Sequence, residues 1–226
     1  MTPTLRQRVF DTFGFSLPES YCSLSDAGRL RYGSDRDDWN ASWQTIATTA
    51  PPALMCSPWH MNVEWRAPED LLAWSPPDYW KPNSFLSFAG NGYGDEWVWD
   101  PERATTHGVA VVLCRHDEDE AEVIASSFED FLFRITVEGF AHISFADRDS
   151  MGLDEAGYKR YLALNVMTIE PYVTGEQNRI LVECLGNSFT EDPDEERLFL
   201  ISDREKQLAL DRYMAGTIGV TFEYMQ

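Results

Sequence analysis

Three consecutive runs decide the fold: NSFLSFAGNGYGDEWVWD (83–100), VAVVLCRHDEDEAE (109–122) and VIASSFEDFLFRI (123–135). Phe85, Leu86 and Phe88 predict a strand. Asn91-Gly92 within AGNGYG is a strong hairpin signal, with glycines where positive φ is needed. Trp97 and Trp99 flank Val98 with the two-residue period of a second strand. VAVVLC has no alternation, which predicts a strand covered on both faces at the centre of a sheet. HDEDEAE is too charged to be inside. It predicts a turn leading into the first turn of a helix, whose dipole would favour Glu120 and Glu122. Ile124, Phe128, Phe131, Leu132 and Ile135 then form an apolar stripe at helical spacing, which places that helix against the sheet.

Outward from this stretch, helices alternate with short strands. Residues 2–14 predict a helix, with Pro3 at its start and Gly14 at its end. Pro18 opens a second. SDRDDW opens a third, because acidic residues suit the positive end of a helix. LRY and MNVEW read as short strands, the second at a sheet edge, and APEDLLAW as a short helix. EGFAHISFADRDSMG is irregular. Helices are expected over 153–170, at QNRILVECL and at DREKQLALDRYM. RLFLISD is a strand or a helical turn, and GTIGVTFEY a last strand. The fold class is α+β: an antiparallel sheet of about four to six strands with flanking helices. The expected organisation is a core at 1–135 and a mainly helical extension at 136–226 packed on the same unit.

The bulk properties fit this reading. A chain of 226 residues with 43% hydrophobic and 13% aromatic residues is globular. No basic and apolar leader is visible, and no run approaches the ~18 apolar residues of a membrane helix, so the expected compartment is the cytoplasm. Cys22, Cys56, Cys114 and Cys184 form no CxxC pair and read as reduced, buried thiols. The net charge of −20 argues against nucleic acid or anionic membrane as a direct partner, since both are polyanions. It suits solubility, and it suits attraction of a basic partner. The acidity is uneven. Residues 91–130 carry eleven acidic and two basic residues, a net −9, whereas residues 1–90 carry ten and seven, a net −3.

A search for chemistry returns to the same stretch. GNGYG followed by Asp95-Glu96 lacks the third glycine and helix start of a nucleotide-binding loop. His60, His107, His116 and His142 form neither HxH nor HxxxH. His116 with Asp117 and Glu118 is a local metal candidate, but a solvated acidic turn is the plainer reading. Asp95, Glu96 and Asp100 could supply paired carboxylates, although neighbours on a strand point to opposite faces. There is no GxSxG elbow, Ser126-Ser127 falls in a helix interior, and a dispersed Ser–His–Asp set leaves no local mark. Trp97 and Trp99 suit either core packing or an interface, where tryptophan is enriched at hot spots. No catalytic, cofactor-binding or metal-binding residue is assigned. The candidate partner-binding residues are Asp95, Glu96, Trp97, Trp99, Asp117, Glu118, Asp119 and Glu120.

FGFSLPESY near the start, FLSFAGNGYGDEWVWD, and VAVVLC followed by HDEDEAEVIASSFEDFL together resemble the SUKH superfamily (the SMI/KNR-type proteins). Leu17-Pro18, Gly90, Gly92, Gly94, Ala125, Ser127, Phe128, Phe131 and Leu132 fill the positions of its pattern. The resemblance covers roughly residues 5–135. It implies an antiparallel sheet with flanking helices and no shared catalytic residues. It also implies an immunity protein that binds and blocks a cognate secreted toxin, such as a nuclease. The charge suggests a toxin with a basic surface. The alternatives are a regulatory or scaffold module and, further off, a hydrolase using carboxylates with His107 or His116.

Overall fold

In the computed structural model, which describes residues 1–34, 36–56, 61–78, 80, 85–106, 108–214 and 218–225, VAVVLC lies inside a six-stranded sheet. The strands are β1 (Glu64–Trp65), β2 (Leu86–Gly90), β3 (Glu96–Thr105), β4 (Gly108–Cys114), β5 (Glu120–Ala125) and β9 (Val220–Glu223). They lie in the order β1-β2-β3-β4-β5-β9, and every pair is antiparallel. Val109 to Cys114 are all buried, as expected of a strand with neighbours on both sides and side chains on both faces.

The contacts divide the chain into two units, Met1–Arg31 with Val63–Phe131 and Ala215–Gln226, and Tyr32–Asn62 with Leu132–Met214. The division does not follow the boundary expected after residue 135. The last strand pairs with β5 (Ala121 opposite Phe222, Glu122 opposite Thr221), so the end of the chain belongs to the sheet.

The first unit has an aromatic layer on each face of its sheet. On one face Trp99 meets Phe15, Tyr21, Phe88 and Phe128, at centroid distances of 5.9, 4.8, 4.5 and 6.0 Å. Helices α1 (Pro3–Phe13) and α2 (Glu19–Asp26) precede and follow Phe15. The first turn of α4 (Phe128–Ala141) adds Phe131 beside Trp65 and Phe88. On the other face Val98, Ala110, Val112, Ala121 and Val123 pack with Trp80, Phe85 and Tyr224. All four cysteines are free and buried.

The helix at the end of the opening stretch starts later than its apolar spacing suggests. Ile124 lies on β5, with Glu120 and Glu122, and not on the helix. EAEV alternates, so Ala121 and Val123 face inward while Glu120 is exposed. The buried edge of β4 needs this hydrogen-bonding partner. Ser126-Ser127 is accordingly the entry to α4, not its interior. Ser127 Oγ accepts from Asp130 N at 3.1 Å, and Ser126 Oγ donates to Asp130 Oδ2 at 2.9 Å. Ser127→Ala should lower stability by about 1 kcal/mol, the usual cost of a lost N-cap. A change below a few tenths in urea unfolding would show the cap to be dispensable.

The second unit holds a three-stranded sheet, β6 (Ile143–Ser144), β8 (Arg197–Phe199) and β7 (Thr190–Asp192), in that order. Its helices are α3 (Arg36–Thr49), the rest of α4, α5 (Phe145–Met151), α6 (Glu155–Ile169), α7 (Gly175–Leu185) and α8 (Asp203–Tyr213). EGFAHISFADRDSMG, irregular as a sequence, closes α4, forms β6 and opens α5. Ser144 caps α5 by accepting from Asp147 N at 2.9 Å. LRY forms no strand, APEDLLAW forms a 3-10 helix at Pro68–Ala73, and RLF is a strand.

Candidate functional site

Antiparallel pairing sets Glu96 opposite Cys114, which brings the turns after β2 and after β4 to the same end of the sheet. In the first turn Asn91 Oδ1 accepts from Tyr93 N and Asp95 N, each at 3.0 Å, and its Nδ2 donates to Asp95 Oδ2 at 2.9 Å. The left-handed residue is Gly94 (φ 99°), not Gly92. A Cβ on Gly94 would lie 3.3 Å from His116 Cβ, so glycine there allows both the turn and its close approach to the second turn.

Asp95 joins the two turns. Its Oδ1 accepts from His116 N at 3.0 Å and lies 2.9 Å from His116 Nδ1. The hydrogen bond to Asp95 holds His116 above the ordinary histidine range. Partial desolvation pushes Asp95 up, but hydrogen bonds from His116 and Asn91 outweigh it and hold the carboxyl below its usual range. The ionic form of the tie is therefore complete between these two values. It is lost as pH rises through the raised histidine value, or as pH falls through the lowered aspartate value.

Glu96 is also engaged. Arg66 Nη2 donates to both its oxygens, at 2.8 and 2.7 Å, and Ser87 Oγ donates to Oε2 at 2.5 Å. Asp95 and Glu96, expected as contacts for a partner, are thus internal ties that shape the turns. Trp97 and Trp99 are fully buried. As core side chains they offer no surface to a partner, which is a correction to their candidacy. A two-residue period does not say which faces of a sheet are covered, and here both are.

Asp117, Glu118, Asp119 and Glu120 are all exposed. Arg115 reaches Glu118 and Glu122, each at 3.2 Å. Among the described residues, Asp117, Asp119 and Glu120 form no ion pair. Glu120 lies directly opposite Glu223 on β9, and like charges in that position repel. Sequence reading overlooked Glu223, because only the pairing of the last strand brings it to this end. Its earlier signal is the alternation VTFE near the C-terminus.

Other chemistry finds less support here. The glycine turn joins two strands and does not open a helix, so the donors of a phosphate-binding loop are missing. Ligand atoms of Asp95, His116 and Asp117 lie within 4.8 Å of one another, a spacing that suits a cation. His116 Nδ1 and Asp95 are already engaged with each other, however, and Glu118, the third residue of the local metal candidate, pairs with Arg115. His60 and His107 lie outside the described residues. His142 belongs to the second unit.

The α+β sheet thus ends in two joined turns, the second of which exposes its acidic side chains. The chain belongs to the SMI1 / KNR4 family (SUKH-1), whose model matches residues 6–134. The family is generally associated with toxin immunity, and its members are typically immunity or interaction modules rather than enzymes. No curated protein and no solved structure matches the chain. No helix among the described residues is long and apolar enough to cross a membrane.

Proposed function

We propose that this protein is an immunity protein that neutralises a cognate secreted toxin by stoichiometric binding, acting in the cytoplasm. The observation that carries this reading is the acidic end of the sheet, where Asp117, Asp119 and Glu120 are exposed and form no ion pair among the described residues. Carboxylates left in this way raise the local negative potential and steer a basic surface toward them. A nuclease or another toxin acting on nucleic acid has such a surface. An acidic protein can occupy it in place of the substrate. Family membership supports the class of function, and the charge supports the kind of partner.

The test has two parts. The purified protein should capture the product of the neighbouring toxin gene in a complex that weakens with salt. Asp117→Lys combined with Asp119→Lys should then slow association about tenfold at low salt, within the one to three decades over which association rates vary in mutants of one interface. The difference should shrink at high salt, where the Debye length falls to about 3 Å. Both sites are exposed, so stability should hardly change. An unaltered association rate would mean that the turn is only a solvated loop.

A further inference from the structure

A cleft of about 600 Å3 opens within the second unit, inside the range of roughly 300–1,000 Å3 usual for binding pockets. One wall is Phe145 and Asp147 at the start of α5. The other is the end of the β7–β8 turn, Glu195 to Arg197. Phe145 N donates to Glu196 O at 3.1 Å and holds the walls together.

Arg197 lines this cleft but is committed elsewhere. Its Nε lies 2.8 Å from Glu195, and its Nη2 lies 2.8 Å from Asp203. Its Nη1 donates to Ala141 O at 3.1 Å. It cannot act as a receptor for an anion without giving these up. His142, also in the lining, is held below the ordinary histidine range by burial and by Lys206 and Arg197, so it adds no cation at neutral pH. The carboxylate of Glu196 is exposed and has no hydrogen bond or ion pair to any described residue. Asp147, on the facing wall, is exposed as a residue, yet partial desolvation of its carboxyl raises it above the usual range and outweighs a hydrogen bond with Ser144 that lowers it. The Phe145 ring already accommodates the Arg148 guanidinium, 5.5 Å from its centroid.

We propose that this cleft receives an arginine side chain presented by a protein partner, with Glu196 and Asp147 as its acceptors and Phe145 as its apolar wall. Charge complementarity selects a cation. A planar guanidinium can bind carboxylates two bonds at a time and lie against an aromatic ring, which a lysine ammonium does less well. The cleft is larger than one side chain, so it admits the backbone on either side, which favours an arginine within a chain over a free amine. Its lining residues all follow residue 134, beyond the family match. The inference does not rest on the acidic turn of the first unit.

The test is an amide-shift titration of the full-length, 15N-labelled protein with the capped tripeptide Gly-Arg-Gly. The expected result is saturable shifts grouped on His142, Phe145 and Glu196. They should be at least fivefold weaker with lysine in the peptide and absent with citrulline, which keeps the shape and loses the charge. Glu196→Gln should abolish them. So should Glu196→Gly, which suits the left-handed backbone there (φ 51°) and should leave the melting temperature equal or higher. Shifts centred on Asp117 to Glu120, or binding unchanged in both Glu196 variants, would overturn the proposal. Equal affinity for free guanidinium would overturn the protein partner.

Discussion

Trp99→Ala is expected to lower folding stability by about 3–5 kcal/mol, the usual cost of truncating a buried tryptophan or phenylalanine. Trp99 is fully buried. Its ring is perpendicular to that of Tyr21, at 89° and 4.8 Å, and tilted against Phe88 at 4.5 Å. Such pairs contribute about 0.5–1.5 kcal/mol beyond area burial, and truncation also leaves a cavity. Against a total stability of about 5–15 kcal/mol for a domain, the loss would shift the urea midpoint strongly. If Trp99 were instead an anchor for a partner, truncation would speed dissociation and leave the midpoint nearly unchanged. A loss below about 1 kcal/mol would contradict the packing described above. Trp99→Phe keeps a ring in the layer and should cost clearly less.

Gly139→Ala tests the second unit, and here two principles predict opposite signs. Gly139 lies inside α4, where alanine is favoured by about 1 kcal/mol on helix propensity alone. A Cβ on Gly139, however, would overlap the carbonyl oxygen of Cys56. That carbonyl cannot easily retreat. Cys56 N donates to Asn165 Oδ1 at 3.2 Å, and the preceding carbonyl, Met55 O, accepts from Tyr161 OH at 2.8 Å. Asn165 is itself buried and donates back to Tyr161 O at 3.0 Å. Overpacking of this kind costs about 1–3 kcal/mol and occasionally more, and against backbone the upper part of that range applies. The expected outcome is a net loss of about 2 kcal/mol in urea unfolding. A gain would mean that the Cys56 segment moves aside and that propensity decides.

Much of the sheet could be read from local patterns. An apolar run without alternation has one economical place, the middle of a sheet, and Val109 to Cys114 lie there. The stripe from Phe128 to Ile135 has helical spacing and forms a helix. Pro3, Pro18 and Gly14 mark helix ends because their backbone chemistry works without knowledge of the rest of the chain. The error at Glu120 to Ile124 has a related cause. Acidic residues before an apolar run suit a helix start, and the same residues suit a strand whose outer face is wet. Local propensity does not separate the two. The open edge of β4 does, by supplying hydrogen bonds to a fifth consecutive strand.

The candidate site was legible in a narrower sense. The density of acidic residues over 91–130 is a property of the sequence, and Asp117 to Glu120 are exposed as their charge suggests. Which acids remain open to a partner was not legible. Asp95 and Glu96 carry the same charge as Asp117, yet one ties two turns through His116 and the other is gripped by Arg66 and Ser87. These partners lie up to 30 residues away in sequence. The same holds for the cleft at Phe145 and Glu196, whose walls come from segments some fifty residues apart and meet through β6 and β8.

The sequence by itself determined the α+β class, the central strand, most helices, the family and the place where negative charge is concentrated. These follow from periodicity, backbone chemistry and composition, which act over a few residues or over the whole chain. Only the tertiary structure decided that Trp97 and Trp99 are core, that Glu120 stands opposite Glu223, and which acids of the opening stretch have already found a cation. Those outcomes depend on strand register and on contacts between distant segments. A side chain's neighbours across a sheet are set by pairing, and pairing is a property of the folded chain.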